Sequence, residues 1–368
     1  MFAASTLPRV IFGSVAGVLV DRWDRRRTLL LGNVLQALGL LPLLAVRSAD
    51  DVWFVYAVAA FESLLAQFVD PAEGAFLPRL VTSAQLVSAN AMNALNNNLA
   101  RLIGPAVGGV IAGTFGLEGV ALADGASFFG AAALIALIRT SGAVEDRPIL
   151  PPTSAWRRLW REWTAGIGLV LRSKPLLVVF ALIAISSLGE GVFGVLYVLF
   201  VNRVLGGGAA EIGLLMSAQA IGGLAGAFAV VHLGHRISPS RLLGIATVIF
   251  GVIDFVIFNS PGLGSSFLVI AALFVLVGVP AAVFFPGVNA IIQSTVADAY
   301  RGRVLGAMGT TMAILGLVGI GIAGSLGDVV GVVPILNIQA IAHIVAGLVV
   351  LVVLPAALRA QAHNGKRD

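Results

Sequence analysis

The sequence predicts an all-α integral membrane protein, and three observations carry that prediction. Of 368 residues, 58% are hydrophobic and only 11% charged, where an ordinary water-soluble domain carries about 25% charged residues. Mean hydropathy is +1.00. Apolar runs of about 20 residues, the length that spans a bilayer as a helix, recur along the whole chain. So little polar surface cannot clothe a water-facing protein of this size. Transmembrane β-strands alternate in polarity and run only about ten residues, which does not match these runs. The 44 glycines suit helices that approach closely within a membrane. The chain has no cysteine, which excludes disulfides, thiol catalysis and thiolate metal sites. Its four histidines are scattered and make no metal-ligand spacing.

Eleven segments follow the 20-residue rule, near 2–20, 28–46, 52–74, 89–113, 119–138, 176–201, 211–233, 241–259, 265–288, 303–325 and 332–355. Orientation follows from where lysine and arginine fall. One set of connections holds 19 of them, among them Arg22, Arg25, Arg26, Arg27, Arg79, Arg236, Arg241, Arg301 and Arg303, the stretch from Arg139 to Lys174 and the C-terminal tail. The alternate set holds only Arg47 and Arg203. The first set is expected in the cytoplasm, which places Met1 outside and Asp368 inside. The net charge of +5 and the pI near 10.4 do not point to nucleic acid. The bases lie in short bursts between apolar runs, with no aromatic-studded basic face. Arginine far outnumbers lysine, which hints at a GC-rich bacterial gene.

The longest connection divides the chain. The expected organisation is an N-terminal bundle of five helices over 1–138, a cytoplasmic linker over 139–174, a C-terminal bundle of six helices over 175–355, and a cytoplasmic tail over 356–368. The linker centre, VEDRPILPPTSAW, is rich in turn residues and proline. After it, Trp156, Trp160, Trp163, Ile167 and Leu171 share roughly one helical face, as in a helix lying in the membrane interface. The halves also look related. At similar offsets Gly13 and Gly17 match Gly222 and Gly226, and Pro71, Gly104 and Gly109 match Pro286, Gly319 and Gly324. Parallel internal repeats of this kind recur in secondary transporters.

One loop carries a signature. In GVLVDRWDRRRTLL, the pattern Gly17-x-x-x-Asp21-Arg22-x-x-Arg25-Arg26 resembles the loop signature of the major facilitator superfamily. Asp24 stands where that family usually has glycine. The DRWDRRR variant looks like the drug-exporter branch that contains macrolide-efflux and enterobactin-exporter-like proteins. Pro71-Ala72 through Leu77-Pro78, Ala89-Asn90 and Arg301-Gly302-Arg303-Val304 add to the resemblance. Arg101-x-x-Gly104-Pro105-x-x-Gly108-Gly109 is similar to the family's antiporter signature. The arginine-bearing signature often found one helix earlier in drug exporters is absent from AAFESLLAQFVDPAEG. The resemblance implies two pseudo-symmetric helical bundles with twelve helices in all. Eleven are expected here, helices two to twelve, with the first missing.

The residues behind these motifs have physical roles to fill. Asp21 is expected near the N-terminus of the helix beginning at Arg303, where free N–H groups and the helix dipole favour a carboxylate by about 0.3–1 kcal/mol. Arg25 or Arg26 is expected to bridge to Asp70 or Glu73. Together these residues would latch the cytoplasmic side, the competing reading being a solvated topogenic loop. Gly13, Gly17, Gly222 and Gly226 would let helices of opposite halves approach and slide. Pro105 removes a backbone donor and, with Gly104, Gly108 and Gly109, allows a bend. The resemblance implies that this stretch restrains leak and favours exchange; an ordinary proline kink is the alternative.

Charge at membrane depth is costly and points to function. Glu62, Arg101 and Glu190 fall near the middle of their segments. The resemblance puts Glu62 on helix four and Glu190 on helix seven, lining opposite sides of a central cavity. Glu190 is the first choice for a proton or substrate-cation site and Glu62 the second, with Arg101 as a partner of Glu62. A structural ion pair and a helix-packing hydrogen bond are the respective alternatives. Asp124, Asp254 and His343 fall on helices six, nine and twelve, which the resemblance makes the outer scaffold, and read as structural or near an interface. Pro280 and Pro286 are expected to kink helix ten, and Phe193, Phe284 and Phe285 to supply apolar cavity wall, the alternative being packing toward the membrane.

The expected function is secondary active export of small amphipathic molecules (drug, macrolide or siderophore-like) by proton-coupled alternating access. The expected site is a bacterial cytoplasmic (inner) membrane, with the C-terminus in the cytoplasm. No enzymatic activity, cofactor, metal or nucleic-acid partner is implied, and a monomer in the lipid bilayer is expected. The chain carries no Walker A loop, so ATP drive is not indicated. The alternatives are an importer or facilitator of the same fold, or a truncated, non-transporting membrane protein.

Overall fold

A lipid core offers no water to backbone polar groups, so apolar runs of this length satisfy them internally as helices. The computed structural model is helical in every element it describes. It describes residues 8, 20, 23–82, 85–142, 163–164, 166–233 and 236–364. Of the first predicted segment only residues 8 and 20 are described; Arg9, Gly13 and Gly17 lie outside the described residues, as do Asp21, Arg22, Trp156 and Trp160. Among the described residues, nine helical stretches are long and apolar enough to cross a membrane. Their outward faces stay apolar: Phe228, Val231, Leu268 and Val352 are all strongly exposed, as in a multi-pass protein whose solvent is lipid.

By their contacts the residues fall into two units, 1–100 with 110–160, and 161–368 with 101–109. The first unit contains α1 (Arg25–Gly39), α2 (Val52–Leu80) and most of α3 (Leu86–Leu137). The charged burst that precedes α1 supplies its cap. The Asp24 carboxylate accepts a hydrogen bond from the Arg27 backbone N–H at 2.9 Å, satisfying one of the donors left free at a helix start. Asp24 thus has a local task at the position where the family signature usually has glycine. The chain of α3 breaks at Gly116, with φ 64° and ψ −163°, a conformation that glycine alone adopts cheaply. Segments 89–113 and 119–138 are therefore joined through a single residue. Leu29, Ala72 and Phe76 form a core with Ile135 and Ile138 at the far end of α3. A second core joins Leu40 and Leu43 to Val58 and Ala121.

The second unit runs α4 (Lys174–Leu199), α5 (Ala209–Leu233), α6 (Pro239–Asn259), α7 (Phe267–Ala281), α8 (Phe284–Thr295), α9 (Asp298–Val330) and α10 (Val332–Asn364). A π turn, Phe200–Val204, closes α4. The principal pairs are α6 with α10, α4 with α9 and α5 with α7. Each pair crosses on glycine: Gly251 lies against Ile344, Gly319 against Val192, and Gly222 and Gly226 against Val275 and Val279. This corrects the expectation for Gly222 and Gly226. Their bare faces are occupied by α7 of their own unit; a Cβ on Gly222 would lie 2.8 Å from the Val275 carbonyl carbon and 3.1 Å from Gly278 Cα. The predicted segment 265–288 is two helices. Pro280 cannot donate to the preceding turn, and the chain bends between Ala281 and Phe284. At the end of the linker, Trp163 and Ile167 pack against the unit's core and Val170 is buried within it, whereas Leu171 is exposed.

Candidate functional site

Glu190 sits in α4 between two glycines, Gly189 and Gly191. Gly191 meets the α9 backbone at Gly316, and a Cβ on Gly189 would lie 3.0 Å from Gln339 Cγ and 3.1 Å from His343 Cε1 of α10. Without side chains at these two positions, α9 and α10 close in on α4 on either side of Glu190. The Glu190 side chain itself is exposed, and the surface it faces is a cavity of about 350 Å³ inside the second unit.

The polar groups of this cavity come from four helices. Asp254 of α6 is only 5% exposed, and it lies close enough to Glu190 to interact with it electrostatically. Neither carboxyl group has a hydrogen-bond partner among the described residues. His343 Nδ1 is 3.0 Å from the Gln339 carbonyl oxygen. A carbonyl only accepts, so Nδ1 carries the proton, and Nε2 of the neutral ring is left as an acceptor. The Phe250 ring meets that imidazole edge-on at 5.2 Å. Gln339 is 8% exposed, and its Oε1 is buried without a hydrogen-bond partner among the described residues, as is Ser186 Oγ. Gln219 of α5, Thr247 of α6 and Ser187 of α4 complete the polar lining, and neither lysine nor arginine takes part among the described residues. Phe193, Phe284 and Phe285 form part of the wall, as expected, with Phe250 and Phe274 added. An apolar cavity into which a few polar groups converge is the usual form of a small-molecule site.

The scaffold assignment of Asp254 and His343 is thereby corrected. Glycine crossings draw α6 and α10 together, Gly244 against Leu351 and Gly347 against Val248, and turn their polar positions toward α4. A signal for this was present in the sequence. Gln339 and His343 are four residues apart, hence on one helix face, and they interrupt an otherwise apolar run. Gln339 was missed altogether.

The remaining predicted residues lie elsewhere. Glu62 of α2 is half-buried in the first unit. Its Oε1 has no hydrogen-bond partner among the described residues, Gln36 is beside it and Asp124 is within electrostatic range. The side chain of Arg101 is outside the described residues, and so is its pairing with Glu62. In the antiporter-like stretch, Gly109 is the crossing residue: a Cβ there would lie 3.2 Å from Gly213 Cα and 3.3 Å from Ala210 Cα of α5. Next to it the Ala106 N–H donates to Ser217 Oγ at 3.1 Å. A Cβ on Gly104 or Gly108 would meet nothing within 4 Å among the described residues. Pro105 is accommodated within α3.

In the latch cluster, Gly17, Asp21 and Arg22 are outside the described residues. Arg25 is the first residue of α1, and Asp70 and Glu73 are exposed on α2. Arg26 does not bridge to either acid. Its guanidinium donates to the carbonyls of Ala136 at 2.8 Å and Ile135 at 3.4 Å, at the C-terminal end of α3, where free carbonyls attract a cation.

Comparisons with known proteins agree with this architecture. A family model described as "Transmembrane secretion effector" matches residues 1–366. The chain is similar to the multidrug efflux pump Tap of Mycolicibacterium fortuitum, at 30% identity over 89% of this chain and 80% of that protein. It is similar to the enterobactin exporter EntS of Citrobacter koseri, at 26% identity over 92% of this chain and 79% of that one. A crystal structure of the peptide transporter POT shares the fold with a TM-score of 0.74 at 14% identity, covering 97% of this chain and 86% of that chain.

Proposed function

Since the chain belongs to the transmembrane secretion effector family of the major facilitator superfamily, we propose that it is a secondary active exporter of small amphipathic molecules of drug or siderophore type, driven by inward proton flow through alternating access. The observation that carries this reading is Glu190, a carboxyl group without a hydrogen-bond partner among the described residues, facing an aromatic-walled cavity within a membrane-spanning helix. A carboxyl group at membrane depth is costly and rare unless it handles an ion, a proton or a charged substrate. Alternating access would expose Glu190 first to the proton-rich side and then to the cytoplasmic side, coupling proton entry to substrate exit.

The names of the relatives, a multidrug efflux pump and an enterobactin exporter, favour export and a drug-like or siderophore-like cargo. Glu62, with Arg101, is the second proton or substrate position, and Gly17, Asp21, Arg22, Arg25, Asp70 and Glu73 form the inner latch. The close crossing of Gly109 on Gly213 suits a tight seam that limits leak. The distribution of arginine and lysine supports a cytoplasmic C-terminus, and the bacterial relatives support the inner membrane of a bacterial cell.

The test is a drug-accumulation panel in efflux-deficient bacteria expressing the wild-type chain or Glu190→Gln, each with and without a protonophore. Lower accumulation of at least one compound in wild-type cells, reversed by the substitution and by the protonophore, is expected. Equal accumulation in every arm for every compound removes the proposal.

A further inference from the structure

The polar groups that converge on the cavity of the second unit share one property: they have hydrogen-bond acceptance to spare. Glu190 and Asp254 bring carboxyl groups without a hydrogen-bond partner among the described residues, and His343 presents Nε2. Gln339 lines the cavity, and its Oε1 is buried with no hydrogen-bond partner among the described residues. Thr247, the other polar residue on α6 that lines the cavity, spends its hydroxyl on the Leu243 carbonyl at 2.8 Å. Among the described residues no lysine or arginine lines the space. An acceptor buried without a donor costs free energy until something supplies the donor, and a concentration of carboxyl groups in an apolar setting calls for positive charge. The aromatic wall is suited to a cation's apolar body and its charge.

We infer that this cavity, enclosed by α4, α6 and α10 of the second unit, binds the protonated amine of an amphipathic substrate, with Asp254 and Glu190 facing the charge and Gln339 Oε1 and His343 Nε2 taking its N–H bonds. The ligand class is therefore narrower than "cation". A primary or secondary ammonium satisfies both the charge and the open acceptors. A quaternary ammonium of the same shape satisfies the charge alone, and a neutral alcohol brings one donor and no charge. Leaving a buried acceptor unpaired weakens binding by roughly tenfold or more, so the amine should outrank its trimethylated analogue by at least about that factor. This inference rests on the export reading above only for the word substrate; the site stands or falls by binding.

Binding is measured on the purified full chain in detergent, without a proton gradient, by the fluorescence anisotropy of three probes: naphthylpropylamine, its N,N,N-trimethyl derivative and naphthylpropanol. The wild-type chain is expected to bind the amine at least about tenfold more tightly than either analogue. Asp254→Asn should abolish the preference of amine over alcohol. Gln339→Leu should narrow the ratio of amine to trimethylammonium several-fold while leaving the alcohol unchanged. Thermal melting identifies which variants are folded, and either folded variant decides. Equal affinities of the wild-type chain for amine and alcohol, or unchanged ratios in every folded variant, overturn the inference. Failure here with protonophore-sensitive drug accumulation intact removes the amine site and leaves the exporter. Amine binding without any effect on accumulation removes the exporter and leaves the site.

Discussion

Replacing Asp254 by leucine should stabilise the protein while removing its activity. Asp254 is 95% buried, has no hydrogen-bond partner among the described residues, and lies within electrostatic range of a second carboxyl group. Its neighbours in the cavity wall, Phe250 and Phe274, are apolar. A buried polar group left unsatisfied costs about 1–3 kcal/mol, and the cavity of about 350 Å³ beside it has room for the larger leucine side chain without overpacking. Asp254→Leu should therefore gain about 1–3 kcal/mol, which at roughly 2–4 °C per kcal/mol for a large domain raises Tm by several degrees. The assay is thermal unfolding of purified protein in one detergent at matched concentration, alongside drug accumulation in efflux-deficient cells. Loss of export with a raised Tm is the expected pair of results. A Tm that falls by several degrees means that Asp254 is a satisfied structural group. Wild-type export by the variant means that the cavity is not on the transport path. Either result refutes the reasoning.

Four further substitutions test the packing, a helix cap and a surface ion pair. Gly109→Ala should cost about 1–3 kcal/mol by overpacking, because its Cβ would press on the Gly213 and Ala210 backbone. Gly104→Ala, where an added Cβ meets nothing within 4 Å among the described residues, should instead be neutral or gain about 0.4–1 kcal/mol; equal Tm shifts for the two would contradict the crossing. Asp24→Ala should lower stability by about 0.5–2 kcal/mol through the lost cap, visible as faster amide exchange in the first turn of α1. Arg203→Ala breaks an exposed ion pair with Asp328 worth at most about 1 kcal/mol, so Tm should barely move.

Much of the fold was legible because lipid imposes a simple rule: a helix must be apolar for about 20 residues, and such runs stand out in a chain with few charges. The breaks were less legible. Gly116 ends one span and begins the next through its φ angle alone, and among 44 glycines nothing local distinguishes it. Glu190 was readable as a charge in an apolar run. The company it keeps was not, because Asp254, Gln339 and His343 reach it only through helix pairings, α6 with α10 and α10 with α4, that no single segment encodes. Arg26 shows the same limit. Its sequence spacing allowed a carboxylate partner on α2, but the free carbonyls of α3 at Ile135 and Ala136 are what the folded chain brings to it.

The central claim, that proton entry through Glu190 drives substrate exit, is tested most directly in proteoliposomes. Vesicles containing the wild-type chain or Glu190→Gln are given a transmembrane pH gradient, and movement of a fluorescent amphipathic amine against its own gradient is followed. Gradient-driven accumulation by the wild-type chain, abolished by a protonophore and by Glu190→Gln, is the predicted result. Transport by the wild-type chain that ignores the pH gradient, or that Glu190→Gln reproduces in full, contradicts it.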